Sequence, residues 1–413
     1  MGTQISSTRN SSLKAILIGS AAFVATTPGF AFAQTSDNDV VLDEIIVTSQ
    51  KRSENLQDVP ISITAVSGAQ IQQARIGRLD ELSTFVPNLQ INQDVISDRI
   101  SIRGVGSGEQ AGFEQSVGTF VDGIYRGRGV QSRFAFLDVE AVEVLRGPQG
   151  TLFGKNTIAG ALNITSAKPT DEFEGLFEAN YDFTLESVTL NGFLSGPLSD
   201  TVRARVAFQT RDQEKGWVEN GLSGDDYPDL EEYGIRGSLE WDVTPSTLLS
   251  LKYEYGEFDS NGAPFEHVVA GPFAPLGVED RPDYSINSSN VDLITGQVDP
   301  VLDFGTLQLF EGHTEELSAT LVHDFAAGGE LTAIAAYSNY EYMRDIDADT
   351  APIALLRFDD NEDFEQTSLE VRYASDTGGP LDYIVGAFYL NNDLIASGLT
   401  YANINTLFAQ RRY

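Results

Sequence analysis

Few residues in this chain have the spacing that catalysis or cofactor binding requires. Gly154 and Lys155 are spaced like the end of a phosphate-binding loop. Gln149, however, replaces that loop's first glycine, and Asn156 stands where a Ser or Thr would bind magnesium. The three histidines have no metal-ligand spacing, and the chain contains no cysteine. We therefore predict no catalytic residue, no metal site and no resident cofactor.

The densest motif is the run Val144–Thr165, in which two β-rich pieces flank a glycine-rich turn. The pieces are Ala141–Leu145 and Ala161–Thr165. The glycines between them are Gly147, Gly150, Gly154 and Gly160. Glycine allows positive φ and close approach of the backbone, which tight packing inside another structure needs. The run predicts two strands joined by a glycine-rich turn.

This run closely resembles the closing signature of the plug domain of TonB-dependent outer-membrane receptors. The resemblance extends to Asp43–Val47, Ile102–Gly104 and Val121–Gly123, so it spans roughly residues 43–168. It implies a plug domain at residues 50–168, held inside a transmembrane β-barrel. The plug motif positions that match are Gly104, Asp122, Gly123, Gly147, Pro148, Gly150, Gly154, Gly160 and Asn163.

The N-terminus has the organisation of a secretory signal peptide. Arg9 and Lys14 form a positively charged region ahead of an apolar stretch at Ala15–Ala25. Ala31–Ala33 then gives a small-x-small cleavage pattern. We predict that residues 1–33 are a cleaved signal peptide. The mature chain is then exported, as expected of a bacterial envelope protein.

Residues 34–49 form a polar leader that contains a short β-branched segment. Its residues are Asp43, Glu44, Ile45, Ile46, Val47 and Thr48. Such a segment either adds as a strand to another protein's sheet or is simply the first strand of the next domain. It resembles the TonB box of the family, which implies binding to the inner-membrane TonB protein with its energising complex. The leader ahead of it has only about nine residues, so we expect a transporter without a signalling domain.

Residues 50–168 are predicted to form an α+β domain with short strands, short helices and glycine-rich loops. The predicted strands include 59–66, 89–92, 100–105 and 119–125, and the predicted helices are 67–73, capped by Ser67, and 79–85. The resemblance implies that Arg103 and Arg146 pair with glutamates of the barrel wall. Arginine makes a bidentate pair with carboxylate that would hold the plug in register. One candidate wall partner is Glu370.

After Pro169 the sequence changes to long segments in which apolar and polar residues alternate. Segments of about eleven residues match tilted strands that cross a bilayer, with the charged face lining a lumen. Nine strands are predicted, at 172–183, 187–195, 201–212, 233–243, 247–258, 314–325, 330–342, 366–375 and 382–391. Aromatic residues predicted to form an interfacial girdle are Tyr181, Phe183, Tyr255, Phe258, Tyr340 and Tyr342. Short turns alternate with long acidic loops, as in outer-membrane barrels.

Nine strands are too few for a barrel that holds a plug. Plugged barrels have about twenty-two strands, or about 550 residues at ~25 residues per strand. Only about 245 residues follow residue 168. We interpret the chain as a fragment: an α+β plug domain, then an incomplete antiparallel transmembrane β-barrel at 169–413.

A net charge of −35 argues against a nucleic-acid partner. The resemblance implies a transporter in the bacterial outer membrane, in contact with its lipid, that imports a large scarce nutrient from outside. An iron(III)–siderophore complex is the expected ligand; cobalamin, haem or an oligosaccharide are alternatives. Two further alternatives are a small closed barrel with an adhesive or structural role and a non-functional remnant.

Overall fold

The computed structural model describes most of the chain after residue 45. The described residues are 46–48, 51–52, 54–57, 59–74, 76–92, 99–107, 114–220, 226–262, 284–285, 291–292, 297–298, 309–347, 356–376 and 381–402. The predicted signal peptide lies outside them. The described residues build a small N-terminal domain, the plug, and a nine-stranded antiparallel sheet, the wall. No helix in this part of the chain is long and apolar enough to cross a membrane.

The plug consists of short strands and short helices. Its strands are β1 (Ile46–Val47), β2 (Glu54–Asn55), β3 (Ile63–Ser67), β4 (Leu89–Asn92), β5 (Arg99–Ile102), β6 (Val105–Gly106), β7 (Val117–Val121), β8 (Ile124–Arg126), β9 (Val139–Arg146) and β10 (Gly160–Ser166). Its helices are α1 (Gly68–Ala74), α2 (Gly150–Phe153) and two 3₁₀ turns at Asp80–Thr84 and Val130–Ser132. Ser67 and Gln70 cap α1 reciprocally, so the predicted cap is confirmed.

The two β-rich pieces of the glycine motif lie at the centre of the plug. They form β9 and β10 in a five-stranded sheet of order β3-β9-β10-β7-β8, where β10 is antiparallel to β9 and parallel to β7. Val142 and Val144 of β9 and Leu162 and Ile164 of β10 are completely buried in the apolar core. These four side chains lie on one face of the sheet. Leu145 and Ala161 on the other face are also completely buried, so the sheet is packed on both faces.

The wall is one continuous antiparallel sheet of order β11-β12-β13-β16-β17-β21-β22-β23-β24. The strands after the plug are β11 (Glu174–Asp182), β12 (Ser187–Ser199), β13 (Val202–Gln213), β14 (Val218–Asn220), β15 (Asp226–Tyr227), β16 (Asp229–Thr244), β17 (Thr247–Asn261), β18 (Tyr284–Ser285), β19 (Val291–Asp292), β20 (Gln297–Val298), β21 (Leu309–Asp324), β22 (Glu330–Asp347), β23 (Leu356–Ala374) and β24 (Ile384–Ala402). All nine predicted wall strands are confirmed. Among the described residues β11 and β24 do not pair with each other, so this sheet is open.

The two faces of the wall differ in chemistry. Successive side chains of a strand point to opposite faces. Toward the plug the wall buries Arg236, Lys252 and Glu254, whereas Ile235 and Leu251 on the other face are 43% and 42% exposed. In a sheet exposed to water, charged side chains are exposed and aliphatic side chains are buried. The wall shows the opposite distribution. The predicted alternation, polar inward and apolar outward, is confirmed.

The alternation inverts toward the end of the wall that carries the long connections. There Phe258, Tyr340 and Tyr342 face the plug and are buried, while outward positions such as Glu257 and Glu341 are acidic and exposed. Placing these three aromatic residues in an interfacial girdle was therefore wrong. The inversion has a physical reason: beyond an apolar band, outward side chains meet water, and aromatic rings pack inward instead.

The outward tyrosines that mark the edge of the apolar band are different ones. Their hydroxyls donate to carboxylates one strand away: Tyr233 to Glu257 at 2.6 Å, Tyr253 to Glu315 at 2.7 Å and Tyr337 to Glu365 at 3.2 Å. Each ring has an apolar body and a polar tip, which suits the boundary between an apolar and an aqueous medium. Of the tyrosines predicted at the boundary, Tyr181 and Tyr255 lie on this outward face, and the Tyr255 hydroxyl donates to Glu257 at 3.1 Å.

Phe134 of the plug packs against two glycines of the wall, Gly234 and Gly256. These glycines are direct cross-strand partners on β16 and β17. A Cβ atom added to Gly234 would lie 2.9 Å from the Phe134 ring, and one added to Gly256 would overlap the ring. The absence of side chains at these positions is what lets the plug approach the wall here.

We expect Gly256→Ala to lower the free energy of unfolding by about 1–3 kcal/mol, because the new methyl group must displace the Phe134 ring. The measurement is guanidinium-induced unfolding in detergent, followed by circular dichroism. The control is Gly237→Ala, where an added Cβ meets nothing within 4 Å. Equal unfolding midpoints for the two variants would contradict the packing argument, and Phe134→Leu should restore part of the loss.

Candidate functional site

The predicted TonB-binding segment ends in contact with the plug. Ile46 and Val47 form β1, which pairs antiparallel with β2, and Val47 is 1% exposed. The first residues of the segment lie outside the described part of the chain: Asp43, Glu44 and Ile45. The described end of the segment is thus docked as a short strand at the edge of the domain.

Thr48 connects this segment to the middle of the plug sheet. Its backbone N–H donates to Oε1 of Glu143 at 2.7 Å, and its hydroxyl accepts from Nδ2 of Asn163 at 3.3 Å. Glu143 and Asn163 are cross-strand partners on β9 and β10, and Asn163 also donates to Glu143 Oε2 at 3.2 Å. A buried carboxylate is costly without donors. Glu143, at 3% exposed, therefore depends on the docked segment.

A buried cluster of charged side chains joins the plug to the wall. Its members are Asp122 and Arg126 of the plug and Arg236, Lys252, Glu254 and Glu316 of the wall. Nη2 of Arg126 lies 3.1 Å from Oε1 of Glu254 and 3.2 Å from Oε2 of Glu316. Arg236 approaches Glu254 at 2.5 Å, and Lys252 approaches Glu316 at 3.1 Å. The cluster holds equal numbers of positive and negative groups, which makes its burial tolerable.

Asp122 of the predicted Val121–Gly123 motif links three parts of the structure. It stands at φ +53° in the turn between β7 and β8, followed by Gly123 at φ +81°. Its Oδ1 accepts from the backbone N–H of Ser166 at 2.8 Å, and its Oδ2 lies 2.5 Å from Nζ of Lys252. Burial alone would raise the pKa of Asp122, but the charges of Lys252 and Arg236 lower this pKa well below its ordinary value. Asp122 therefore remains ionised.

A second charged contact lies in the plug segment just before β9. The guanidinium of Arg205 on β13 binds both carboxylate oxygens of Asp138, at 2.6 and 2.7 Å. This planar, bidentate geometry is the strong form of an arginine–carboxylate pair. Arg236 also donates to the backbone carbonyl of Leu137. The plug is thus bonded to β13, β16, β17 and β21 of the wall.

The structure does not bring Arg103 or Arg146 to Glu370, so that predicted pairing is corrected. Arg146 donates to the Thr64 hydroxyl at 2.7 Å, and Arg103 to the Ser62 hydroxyl at 3.3 Å. Burial and then the neighbouring charge of Arg103 lower the pKa of Arg146, the reverse of what a carboxylate would do. The carboxylate of Glu370 instead lies near two other bases, Arg372 at 2.7 Å and Lys51 at 3.6 Å.

The remaining plug motif residues form two connections. They are Gly104 in the turn between β5 and β6, and Gly147, Pro148, Gly150, Gly154 and Gly160 along the path from β9 through α2 to β10. Gly160 has the least room, since a Cβ atom there would overlap the backbone carbonyl of Leu145. This close approach is required where β10 begins to pair with β9.

The arrangement binds two bodies together by contacts that can break and re-form. Within the described ranges, no three His, Cys, Asp or Glu side chains are grouped so that they could hold a metal ion. The two histidines within these ranges are not grouped either. His323 Nδ1 shares a hydrogen bond with the Thr247 hydroxyl at 2.8 Å, and the His313 ring stacks on Tyr255. His267 lies outside the described residues. Of the ion pairs described above, those of Arg126 with Glu254 and Glu316 and that of Asp122 with Lys252 join the plug to the wall.

Comparison with known proteins identifies the plug. Residues 55–161 match the TonB-dependent Receptor Plug Domain. This part of the chain is therefore a plug domain of the TonB-dependent receptor kind. The match covers β3 to β9 and reaches Ala161 at the start of β10, and so includes Asp122 and Arg126.

Two curated receptors extend the similarity into the wall. The chain is 32% identical over 215 residues to the pesticin receptor of Yersinia pestis, which covers 51% of this chain and 31% of that protein. It is 25% identical over 314 residues to the ferrioxamine B receptor of Salmonella typhimurium, covering 70% of this chain and 42% of that receptor. The chain therefore spans less than half the length of these relatives.

Two solved receptor structures share the fold. The crystal structure of the ferric yersiniabactin uptake receptor from Yersinia pestis has a TM-score of 0.66 at 20% identity, covering 83% of this chain and 50% of that one. The ferripyoverdine receptor of Pseudomonas aeruginosa gives 0.63 at 17% identity, covering 87% and 46%. The predicted fold class, an α+β plug followed by an antiparallel wall, is confirmed.

Proposed function

We propose that the chain acts as a TonB-dependent transporter in the bacterial outer membrane, importing a large scarce nutrient. One observation carries the proposal: the wall is apolar on its outward face and polar toward a plug that buried ion pairs hold in place. An outward apolar face is stabilised by lipid. The plug is held by these ion pairs and by the aromatic cluster around Phe134, contacts between side chains that can separate without breaking the backbone hydrogen bonds of the wall.

The ligand that we propose is an iron(III)–siderophore complex, with the iron carried as part of the cargo. The support is the naming of the relatives, which include receptors for ferrioxamine B, ferric pyoverdine and ferric yersiniabactin. No covalent step is needed for such cargo. Import needs binding of the ligand at the outer side of the receptor and force from the TonB protein at the inner side.

The energising partner that we propose is the TonB protein of the inner membrane, bound at Asp43–Thr48. The described end of this segment already forms a two-residue strand, β1, paired with an equally short β2. Such a strand is easily exchanged for the edge of a partner's sheet, because only two residue pairs must separate. The end of the wall with the short turns 200–201 and 245–246 would then face the periplasm.

The test is uptake of radioactive iron by cells whose only candidate receptor is expressed from this gene. Cells carrying the gene should accumulate iron from siderophore complexes about tenfold above cells lacking it, and a protonophore should abolish the difference. Cobalamin and haem are offered in parallel as competing cargo. Equal iron accumulation with and without the gene would overturn the siderophore proposal, and uptake of another cargo would replace it.

A further inference from the structure

The outward face of the wall carries a belt of carboxylates at the end with the long connections. The belt begins at the tyrosines that mark the edge of the apolar band, since Glu257, Glu315 and Glu365 accept hydrogen bonds from their hydroxyls. All members of the belt are exposed or half-buried. These residues, here called the acidic belt, are Asp212, Glu231, Glu257, Asp259, Glu311, Glu315, Glu341, Asp363, Glu365 and Asp393.

Within the acidic belt, neighbouring strands place carboxylates directly opposite one another. The opposed pairs are Asp212 with Glu231, Glu231 with Asp259, Asp259 with Glu311, Glu341 with Asp363, and Glu365 with Asp393. Directly opposite side chains have Cβ atoms about 4.5–5.5 Å apart, and like charges at this distance destabilise a sheet. The wall therefore gains stability from any cation that binds between two of these carboxylates.

The protein supplies few positive charges of its own to this face. Among the outward residues of the described wall strands beyond the tyrosines, the one arginine or lysine is Arg357, which pairs with Asp345 and Asp359. Other bases of the same strands, such as Lys252 and Arg344, face the plug and are buried. The neutralising charge must therefore come from the surroundings of the receptor.

The acidic belt directly continues the surface that meets lipid. On the outward face, exposed Ile235 and Leu251 belong to the apolar band, and Tyr233 and Tyr253 follow them toward the belt. Tyrosines at the edge of an apolar band lie at the level of the lipid headgroups. Glu231, the next outward residue beyond Tyr233, therefore lies beside these headgroups.

A shallow groove crosses the acidic belt. Its volume is about 640 Å³, and its lining includes Glu257, Glu311, His313, Glu341 and Asp363. This volume is in the range of small-molecule sites, so the groove has room for a lipid headgroup as well as for an ion.

The carboxylates of the belt do not enclose a cation by themselves. Within the described ranges, no three of them are grouped so that they could hold a metal ion. Calcium takes about six to eight oxygen ligands. A cation bound between Glu341 and Asp363 therefore needs further oxygens from outside the chain, and the phosphate of an adjacent headgroup can supply them.

We propose that the acidic belt binds the phosphate-bearing headgroups of outer-leaflet lipid through bridging divalent cations, calcium or magnesium. Each bridge joins an opposed pair of carboxylates to a lipid phosphate, so the cation and the lipid bind together and neither binds firmly alone. The orientation of the belt toward the outer leaflet rests on the proposed function. The binding itself does not depend on which cargo is imported.

Retention of lipid A, a lipid that carries two phosphates, measures this binding. The purified full chain in detergent is immobilised, loaded with lipid A, washed and analysed for bound phosphate. Calcium should raise the retained phosphate about tenfold over EDTA with sodium at equal ionic strength, because sodium screens charges without bridging them. Calcium binding, measured by equilibrium dialysis, should be weak when lipid A is left out.

Two double variants test whether the belt is the binding surface. Glu341→Gln with Asp363→Asn removes one opposed pair in the groove and should lower the calcium-dependent retention about threefold. Asp200→Asn with Asp376→Asn makes the same change in net charge at exposed positions of the short-turn end, and it should leave retention unchanged. In EDTA the belt variant should unfold at no lower a midpoint than the unaltered chain, because it has lost a like-charge contact.

Three results would overturn the proposed surface: equal retention in calcium and EDTA, equal retention by the two double variants, or calcium binding that is as strong without lipid A. The proposed function fails separately. A receptor that retains lipid A but imports no iron chelate loses only its proposed cargo. A receptor that imports the chelate but retains no lipid A in calcium loses only the role of the acidic belt.

Discussion

Replacing Arg126 by methionine is expected to lower the free energy of unfolding by about 3–5 kcal/mol and to loosen the plug from the wall. The guanidinium of Arg126 lies between Glu254 and Glu316, at 3.1 and 3.2 Å. Removing it leaves three acids, of which Glu254 and Glu316 are buried, facing two bases, with little water to screen the excess charge. Guanidinium unfolding in detergent measures the loss, and limited proteolysis of the plug reports the loosening.

The matched control is Arg78→Met, which breaks a partly exposed ion pair with Asp80. Its effect should stay below about 1 kcal/mol, because water screens a partly exposed pair and such pairs contribute little. Adding Glu316→Gln to Arg126→Met restores the balance of charge in the cluster and should recover part of the stability. Two results would contradict a stabilising role of the cluster. One is an equal unfolding midpoint for Arg126→Met and Arg78→Met. The other is a lower midpoint for Arg126→Met with Glu316→Gln than for Arg126→Met alone.

The wall strands could be predicted from the sequence because apolar and polar residues alternate along them. The apolar residues face outward and the polar residues face the plug. Leu251 and Tyr253 point outward, while Lys252 and Glu254 between them point to the plug. Period-two chemistry of this kind predicts both the strand and its two faces. The prediction was incomplete where the environment changes along one strand. β23 begins at Leu356 rather than near residue 366, because its first ten residues lie where the alternation inverts.

The partners across the plug–wall interface could not be predicted in the same way. Arg126 and Glu254 are 128 positions apart in sequence, and which acid meets which base depends on how distant strands are aligned. The chain contains 61 acidic residues, so any arginine has many possible partners. Glu370 does lie on the plug-facing side of β23, but its carboxylate forms ion pairs with Lys51 and Arg372.

A local clue to the interface was present in the sequence. Arg126 follows the recognised Asp122–Gly123 turn by only three residues, within β8. A turn residue with positive φ fixes the direction of the strand that follows. The motif therefore places two charged groups, Asp122 and Arg126, at the same contact with the wall. Sequence reasoning singled out Asp122 but missed Arg126.

Deleting Asp43–Val47 is expected to abolish energy-driven import, by about 100-fold, while ligand binding at the cell surface is retained. Strand addition needs the backbone N–H and C=O groups of the segment, and no other described strand continues into the N-terminal leader. Uptake and surface binding of the same radioactive iron chelate are measured on the same cells. Deleting Ser36–Val40 shortens the leader equally and is the control.

A deletion also removes Val47, whose side chain is buried in the plug, so a second variant separates coupling from stability. Ile45→Pro removes one backbone donor from the segment and leaves Val47 and Thr48 in place. It should reduce import without changing the unfolding midpoint. If the receptor lacking Asp43–Val47 and the Ile45→Pro receptor both import at the rate of the unaltered receptor, force is transmitted to the plug through another segment. Thr48 and its bond to Glu143 would then be structural only, with no part in coupling.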